Sequence, residues 1–146
     1  MPIRIELDER PSEADREAIF KPLVAYNERN GGPSRYAPFA IKLSDAATGA
    51  CVGGLWGQFY YDWLFVELLY IPEGERRRDV GSNLMAEAES LARRRGCVGV
   101  WLDTFSFQAP DFYRKLGYEL FGALSDYPKG GKRYFFRKLL DGVERP

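Results

Sequence analysis

Between Leu64 and Leu91 the chain reads LFVELLYIPEGERRRDVGSNLMAEAESL, and two features of this stretch could do chemistry. The first is a run of cations, Arg76, Arg77 and Arg78, that passes through Asp79 and Val80 into Gly81 and Ser82. Apolar residues then follow at helical spacing: Leu84, Met85, Ala88, Leu91 and Ala92. A turn whose backbone N–H groups converge at a helix N-terminus, with arginines leading into it, holds an anion. A pyrophosphate is the anion expected. The second feature is Glu67, the one carboxylate in an otherwise apolar run. A strand residue whose side chain reaches solvent has the same pattern, so the residue alone leaves its role open.

The chain has 146 residues and no histidine. That absence removes Ser-His-Asp and Cys-His catalysis, imidazole bases and most transition-metal sites in one step. Two cysteines, Cys51 and Cys97, cannot complete four zinc ligands, and each falls in an apolar run, so both are read as inert core thiols and no metal is expected. Carboxylates, tyrosines, lysines, cysteines and the backbone remain. Lys plus Arg equals Asp plus Glu at 21 each, which leaves no net field to draw in nucleic acid or an anionic membrane. With no secretory signal or long apolar span, the expected location is the cytoplasm. The length fits one domain, 1–146, with room for a hydrophobic core.

The elements that must position these residues can be read in order. Residues 2–7 alternate apolar and charged, predicting an edge strand. Ser12 and Asp15 have capping-box spacing at the head of a helix, which Pro22 is expected to divide in two and NGGP at 30–33 to end. Phe39, Ile41 and Leu43 alternate as a strand; CVGGLWGQFYY follows across the DAATG turn, and LFVELLYI follows the reversal at Asp62. Gly53, Gly54 and Gly57 within a strand predict a bulge or a close approach, tight packing ahead of a ligand. A helix over about 80–95, capped by Gly96, pairs Glu89 with Arg93 at i, i+4. The strand CVGVWLDT is read as parallel to LFVELLYI, because a helix of about four turns is the usual crossover between parallel neighbours. A short helix from Pro110 to Leu116, stopped by Gly117, leads to an antiparallel pair around DYPKGG.

The turn, the helix, the buried strand and the run FYRKLGYE at 112–119 together resemble the GNAT superfamily of acyl-CoA N-acyltransferases. The family pattern Arg-x-x-Gly-x-Gly/Ala falls on Arg76 to Gly81, with Asp79 standing where the first glycine is usual. Leu84 and Met85 are the apolar pair that follows, and the closing Phe-Tyr-x-Lys-x-Gly-aromatic is met at Phe112, Tyr113, Lys115, Gly117 and Tyr118. Ser106 occupies the position of a family asparagine. The run from Leu102 to Gly122 is also similar to a bacterial subgroup of unassigned substrate. The resemblance implies an α/β fold (α+β in some schemes): a mixed, mostly antiparallel sheet of about seven strands with flanking helices, one parallel pair splayed to admit the pantetheine arm of acetyl-CoA, the cosubstrate. It implies that backbone donors at Arg77, Val80, Gly81 and Ser82 hold the pyrophosphate, with the side chains of Arg76, Arg77 and Arg78 as a salt-sensitive supplement. It places Asp79 and Ser106 beside the cofactor, and backbone N–H groups near Leu69 and Ile71 on the thioester carbonyl. Glu67 would assist deprotonation of the nucleophile, and Tyr113 would serve the leaving thiolate.

Each assignment has a plainer counterpart. Charge runs are usually solvated faces, and a tyrosine such as Tyr113 can simply pack a short helix with its hydroxyl satisfied locally. Trp56, Tyr60, Tyr61, Trp63, Phe105, Phe107 and Tyr127 are more large rings than one small core hides, so some are expected at a cleft, where Asp126 would suit a cationic acceptor. The expected reaction is acetyl transfer from acetyl-CoA to a primary amine of a small molecule or protein, by direct attack in a ternary complex. Neither nucleic acid nor membrane is an expected partner, and a homodimer is left open. The alternative is a non-catalytic CoA-binding or regulatory protein of the same fold, which Asp79 keeps open.

Overall fold

In the computed structural model, which describes residues 1–76 and 78–140, the Ser12 hydroxyl accepts from the Asp15 N–H at 3.1 Å and the Asp15 carboxylate accepts from the Ser12 N–H at 2.9 Å. This reciprocal capping box starts α1 (Glu13–Gly31), and the bond from the Ser12 backbone holds the Asp15 carboxyl below its ordinary value. The helix runs unbroken through Pro22, against the expected division. A proline removes one N–H and strains one preceding carbonyl, both local effects; with nine residues of helix on each side, the ladder continues past them. Residues 2–7 form no strand. Alternation sets which face a strand would present, but does not supply the ladder partner that makes one. These residues and α1 make up one unit, Met1–Ser34; the chain from Arg35 on makes up a second.

The second unit runs β1 (Ala37–Ser44), β2 (Cys51–Tyr60), β3 (Trp63–Tyr70), α2 (Val80–Arg94), β4 (Gly99–Phe105), α3 (Pro110–Lys115), β5 (Glu119–Ser125) and β6 (Lys132–Leu139). Among the described residues the strands form one six-stranded sheet in the order β1-β2-β3-β4-β6-β5. Only β3 and β4 pair in parallel, as the α2 crossover requires. Tyr61 and Asp62 carry the β2–β3 reversal with φ of 45° and 67°, the pair of positive angles that a two-residue type I′ turn demands. The end of α2 is a Schellman motif: the Gly96 N–H donates to the Arg93 carbonyl at 3.0 Å and the Cys97 N–H to the Ala92 carbonyl at 2.9 Å, with Gly96 at φ +72°. Gly117 ends α3 in the same way, its N–H donating to the Arg114 carbonyl and the Tyr118 N–H to the Tyr113 carbonyl.

The core lies between one face of the sheet and α2. Leu55, Phe59, Leu64, Val66, Val100, Leu102 and Phe136 meet Leu84, Met85, Ala88 and Ala92 there. Glu89 is buried in the same layer. Its carboxylate accepts from the Tyr118 hydroxyl at 2.9 Å and from Lys138 Nζ at 2.8 Å. The expected pairing with Arg93 is not the one formed, because this helix position faces the sheet and finds its cation on β6. Cys97 is a core thiol, with burial pushing its titration up, but Cys51 is exposed at the first residue of β2. An apolar run supplies no information about where its ends stand relative to the packed layer.

Candidate active site

The β2–β3 ladder pairs Trp56 with Leu68 and Gly57 with Val66, leaving Glu67 as an extra residue. It is a β-bulge. Gly57 makes it possible: a Cβ there would stand 2.8 Å from the Phe39 ring and 2.9 Å from the Phe65 carbonyl oxygen. The bulge shifts the alternation of β3. Leu64 and Val66 face the core before it, Leu69 and Ile71 pack toward the core after it, and Leu68 and Tyr70 are exposed. On its other side β3 pairs with β4 only from Trp63↔Gly99 to Val66↔Leu102, although the strands run on to Tyr70 and Phe105. Beyond Val66 and Leu102 the two strands part. The edge of β3 over 67–70 therefore presents N–H and C=O groups to an opening instead of to a ladder, and Glu67 stands exposed at its lip.

The first turn of α2 lies against that opening. Gly81 is buried, and a Cβ on it would stand 2.8 Å from Ile71 Cδ1 and 3.1 Å from Phe112 Cζ, so only glycine lets the helix head approach the end of β3 this closely. Asp79 sits in the left-handed region at φ 57°, ψ 19°, and its side chain makes no cap bond. The first helical bond is Asn83 N–H to the Asp79 carbonyl, at 3.0 Å. Among the described residues no acceptor meets the N–H groups of Val80, Gly81 and Ser82, which are the donors an anion takes. Two of the three arginines are engaged nearby. Arg76 Nε donates to the Ile71 carbonyl at 3.0 Å, and Arg78 stands 3.5 Å from the Glu75 carboxylate. Arg77 lies outside the described residues.

Phe112, the residue against Gly81, ties α3 to the same place. Its neighbour Tyr113 is the buried residue of α3, set among Phe112, Tyr118 and Phe136 with ring centroids 5.0, 6.2 and 6.2 Å away. Burial first, and the charge of Asp103 second, push its hydroxyl up to about 12. No described residue hydrogen-bonds to that hydroxyl, in contrast to Tyr118 on Glu89. A strand opening with free main-chain donors, an uncapped helix head beside it, a carboxylate at the lip and a protonated phenol behind it together suit a phosphorylated acyl carrier and a nucleophile meeting between β3 and β4.

The model of the acetyltransferase (GNAT) family matches residues 4–118. The chain belongs to that family. It is 45% identical over 83 residues to a blasticidin-S acetyltransferase of Streptomyces morookaense, a match that covers 56% of this chain and 61% of that protein, so it spans less than two thirds of that relative's length. It is 36% identical over 123 residues to acetyltransferase Atu2258 of Agrobacterium fabrum (strain C58 / ATCC 33970), covering 84% and 88% of the two chains. The crystal structure of an acetyltransferase from Bacillus cereus ATCC 14579 matches with a TM-score of 0.81 at 32% identity, covering 92% of this chain and 98% of that one.

The remaining residues of this GNAT chain are placed by the ends of β4 and β6. Ser106 is fastened to the β5–β6 hairpin: its N–H donates to the Lys132 carbonyl at 2.8 Å and its hydroxyl oxygen accepts from the Lys132 N–H at 3.0 Å. Asp126, suggested from sequence as a partner for a cationic acceptor, instead accepts from the Gly130 N–H at 3.1 Å within its own turn. The carboxylate at the aromatic cluster is Asp103, which sequence reasoning missed. Its Oδ1 accepts from Arg133 Nε at 2.9 Å and lies 2.7 Å from Nη2, while Arg133 Nη1 donates to the Tyr127 hydroxyl at 2.8 Å. The same guanidinium lies over the rings of Phe105, Tyr127 and Phe135. A signal was present, since Asp103 interrupts an apolar strand, but Arg133 is one of four cations on β6 and their 30-residue separation gave no spacing to read. Tyr60, Tyr61 and Trp63 line a separate open cavity of about 390 Å³ with Trp101, Phe121 and Arg137, at the start of β3. Among the described residues no helix is long and apolar enough to cross a membrane, and no group of His, Cys, Asp or Glu is placed to hold a metal ion.

Proposed function

We propose that this chain transfers the acetyl group of acetyl-CoA to a primary amine by direct attack in a ternary complex. The observation that carries the reading is the parting of β3 and β4 beyond Val66 and Leu102, with the uncapped head of α2 against the end of β3. Bound acetyl-CoA supplies the acyl group as an activated thioester. The N–H groups of Val80, Gly81 and Ser82, with that of Arg77, hold the pyrophosphate, and Arg76, Arg77 and Arg78 add a salt-sensitive attraction. Main-chain N–H groups near Leu69 and Ile71 are the donors for the thioester carbonyl, where charge develops during attack. Ser106 keeps a hydroxyl proton to donate beside the cofactor, because its oxygen is already an acceptor for Lys132.

Glu67 draws the ammonium to the lip of the opening. Direct transfer from an alkylammonium to a carboxylate is strongly uphill, so the proton leaves to water as the amine is desolvated and Glu67 assists by charge. Tyr113 keeps its own proton. With its hydroxyl at about 12 and a thiol near 8.5, full transfer to the departing sulfur costs roughly 5 kcal/mol, whereas a donated hydrogen bond stabilises the thiolate without that cost.

The amine is taken to be that of a small molecule, and the blasticidin-S acetyltransferase relative makes blasticidin S the first acceptor to try. Purified chain would be mixed with acetyl-CoA and blasticidin S, a polyamine, free amino acids or a peptide bearing a free N-terminus. Thiol release is followed with a dye and products by mass spectrometry. Acetylated product from one of these amines is expected. Acetyl-CoA binding in calorimetry with no amine acetylated would instead favour the non-catalytic CoA-binding reading.

A further inference from the structure

Helix α3 has six residues, too short to hold its own shape in water, and no side chain caps its start. Its position must come from its surroundings. At its C-terminal end Lys138 Nζ donates to the Leu116 carbonyl at 2.9 Å and to Glu89 Oε1 at 2.8 Å, while the Tyr118 hydroxyl donates to Glu89 Oε2 at 2.9 Å. Lys138 also lies over the Tyr118 ring, which packs edge-on against Tyr113. Two charged groups from β6 and α2 therefore close on the turn that ends α3, one residue layer from the Tyr113 ring. The carboxylate belongs to the same helix whose head forms the anion-binding turn. A buried ion pair is weak evidence for stability on its own, because desolvation offsets most of the attraction, and a specific geometry is its better-attested use.

We propose that Glu89 and Lys138 are positioning residues for acetyl transfer: by clamping the C-terminal end of α3 between α2 and β6, they set where the Tyr113 hydroxyl stands relative to the anion-binding turn. This rests on the reading of Tyr113 as the group that serves the departing thiol. Neither clamp residue meets the acyl donor or the amine; both act through Tyr118 and the Leu116 carbonyl.

The test compares Lys138→Arg, Lys138→Met and the double variant Glu89→Gln/Lys138→Met, the last removing both charges so that none is left buried alone. In the protein without cofactor, NMR of ring-labelled tyrosine follows the Tyr113 titration, and hydrogen exchange follows the amides of Leu116, Gly117 and Tyr118. The double variant should move the Tyr113 titration down from about 12 toward its ordinary value near 10 and speed exchange at those three amides, leaving β4 unchanged; Lys138→Met should shift both in the same direction and Lys138→Arg should keep both as in the wild type. In turnover with acetyl-CoA and blasticidin S, the double variant should lower kcat roughly tenfold or more, toward the 10²-fold that a misplacement of about 1 Å can cost. That loss should vanish in a Tyr113→Phe background. An unchanged Tyr113 titration and exchange pattern in the double variant overturns the proposal, as does an undiminished loss of kcat on top of Tyr113→Phe. A Tyr113→Phe variant with normal kcat, measured with the clamp intact, overturns the reading of Tyr113 itself and the catalytic part of the proposal with it.

Discussion

Glu67 bulges from β3 at the point where Gly57 of β2 faces Val66, so the carboxylate at the lip of the opening and the glycine that lets the strand bend are two halves of one feature. The bulge turns Leu69 and Ile71 toward the core side and leaves Glu67 in solvent.

Replacing Glu67 with glutamine keeps the shape and removes the charge. kcat/KM for the amine should fall by roughly 10²-fold, with acetyl-CoA affinity nearly unchanged. In the wild type the rate should climb from about pH 6 toward 9 as neutral amine becomes available. Steady-state kinetics across that range decides the point, since an equal rate for the glutamine variant at every pH would remove Glu67 from the mechanism.

Adding one methyl group at Gly57 should be costly. Its Cβ would press on the Phe39 ring and on the Phe65 carbonyl oxygen, of which the backbone atom cannot move aside without shifting β3. Gly57→Ala is expected to lose about 1–3 kcal/mol in urea unfolding and to lower turnover by displacing Glu67. Wild-type stability in this variant would show that the sheet gives way more easily than the ladder suggests.

Asp79 has no cap to lose. It holds a left-handed conformation that costs an aspartate roughly 1 kcal/mol and a glycine little, and it stands one residue before the helix head proposed to hold the pyrophosphate. Asp79→Gly should bind acetyl-CoA several-fold more tightly in calorimetry while the cofactor-free protein melts at the same temperature or slightly higher. Weaker binding by the glycine variant would make Asp79 part of the cofactor site.

Tyr113 carries a stability signature in alkali. Its folded-state value of about 12 lies above the unfolded value near 10, so the folded chain holds this proton more tightly. The contribution, about 3 kcal/mol, is fully present below pH 10 and is lost as pH rises through about 12. Tyr118, pushed up further by burial and by the Glu89 charge, adds in the same direction. Chemical denaturation at pH 9 and in the alkaline range should show a smaller drop for Tyr113→Phe than for wild type; equal drops would mean that Tyr113 is reached by solvent already in the folded state.

What the order of residues determined by itself was local or carried by one crossover. The Ser12–Asp15 box, the glycine stops at Gly96 and Gly117 and the helix from Val80 each depend on neighbours within a few positions. The parallel pairing of β3 and β4 follows from a helix between two apolar runs. The GNAT pattern was legible for the same reason, since its turn and its FYRKLG helix are contiguous strings. Tertiary structure alone decided which partner each residue received. Glu89 has Arg93 four positions away, yet it pairs with Lys138, 49 residues on, because the helix face it occupies is the one turned to the sheet. Asp103 and Arg133 meet only because β6 lies beside β4. Alternation could not place residues 2–7 in a ladder, an apolar run could not tell the buried Cys97 from the exposed Cys51, and no spacing rule shows that Glu67 is the residue skipped by its partner strand. Pairing across a sheet is a contest among all strands for edges and faces, and its outcome depends on the volume and charge of side chains far apart in the chain.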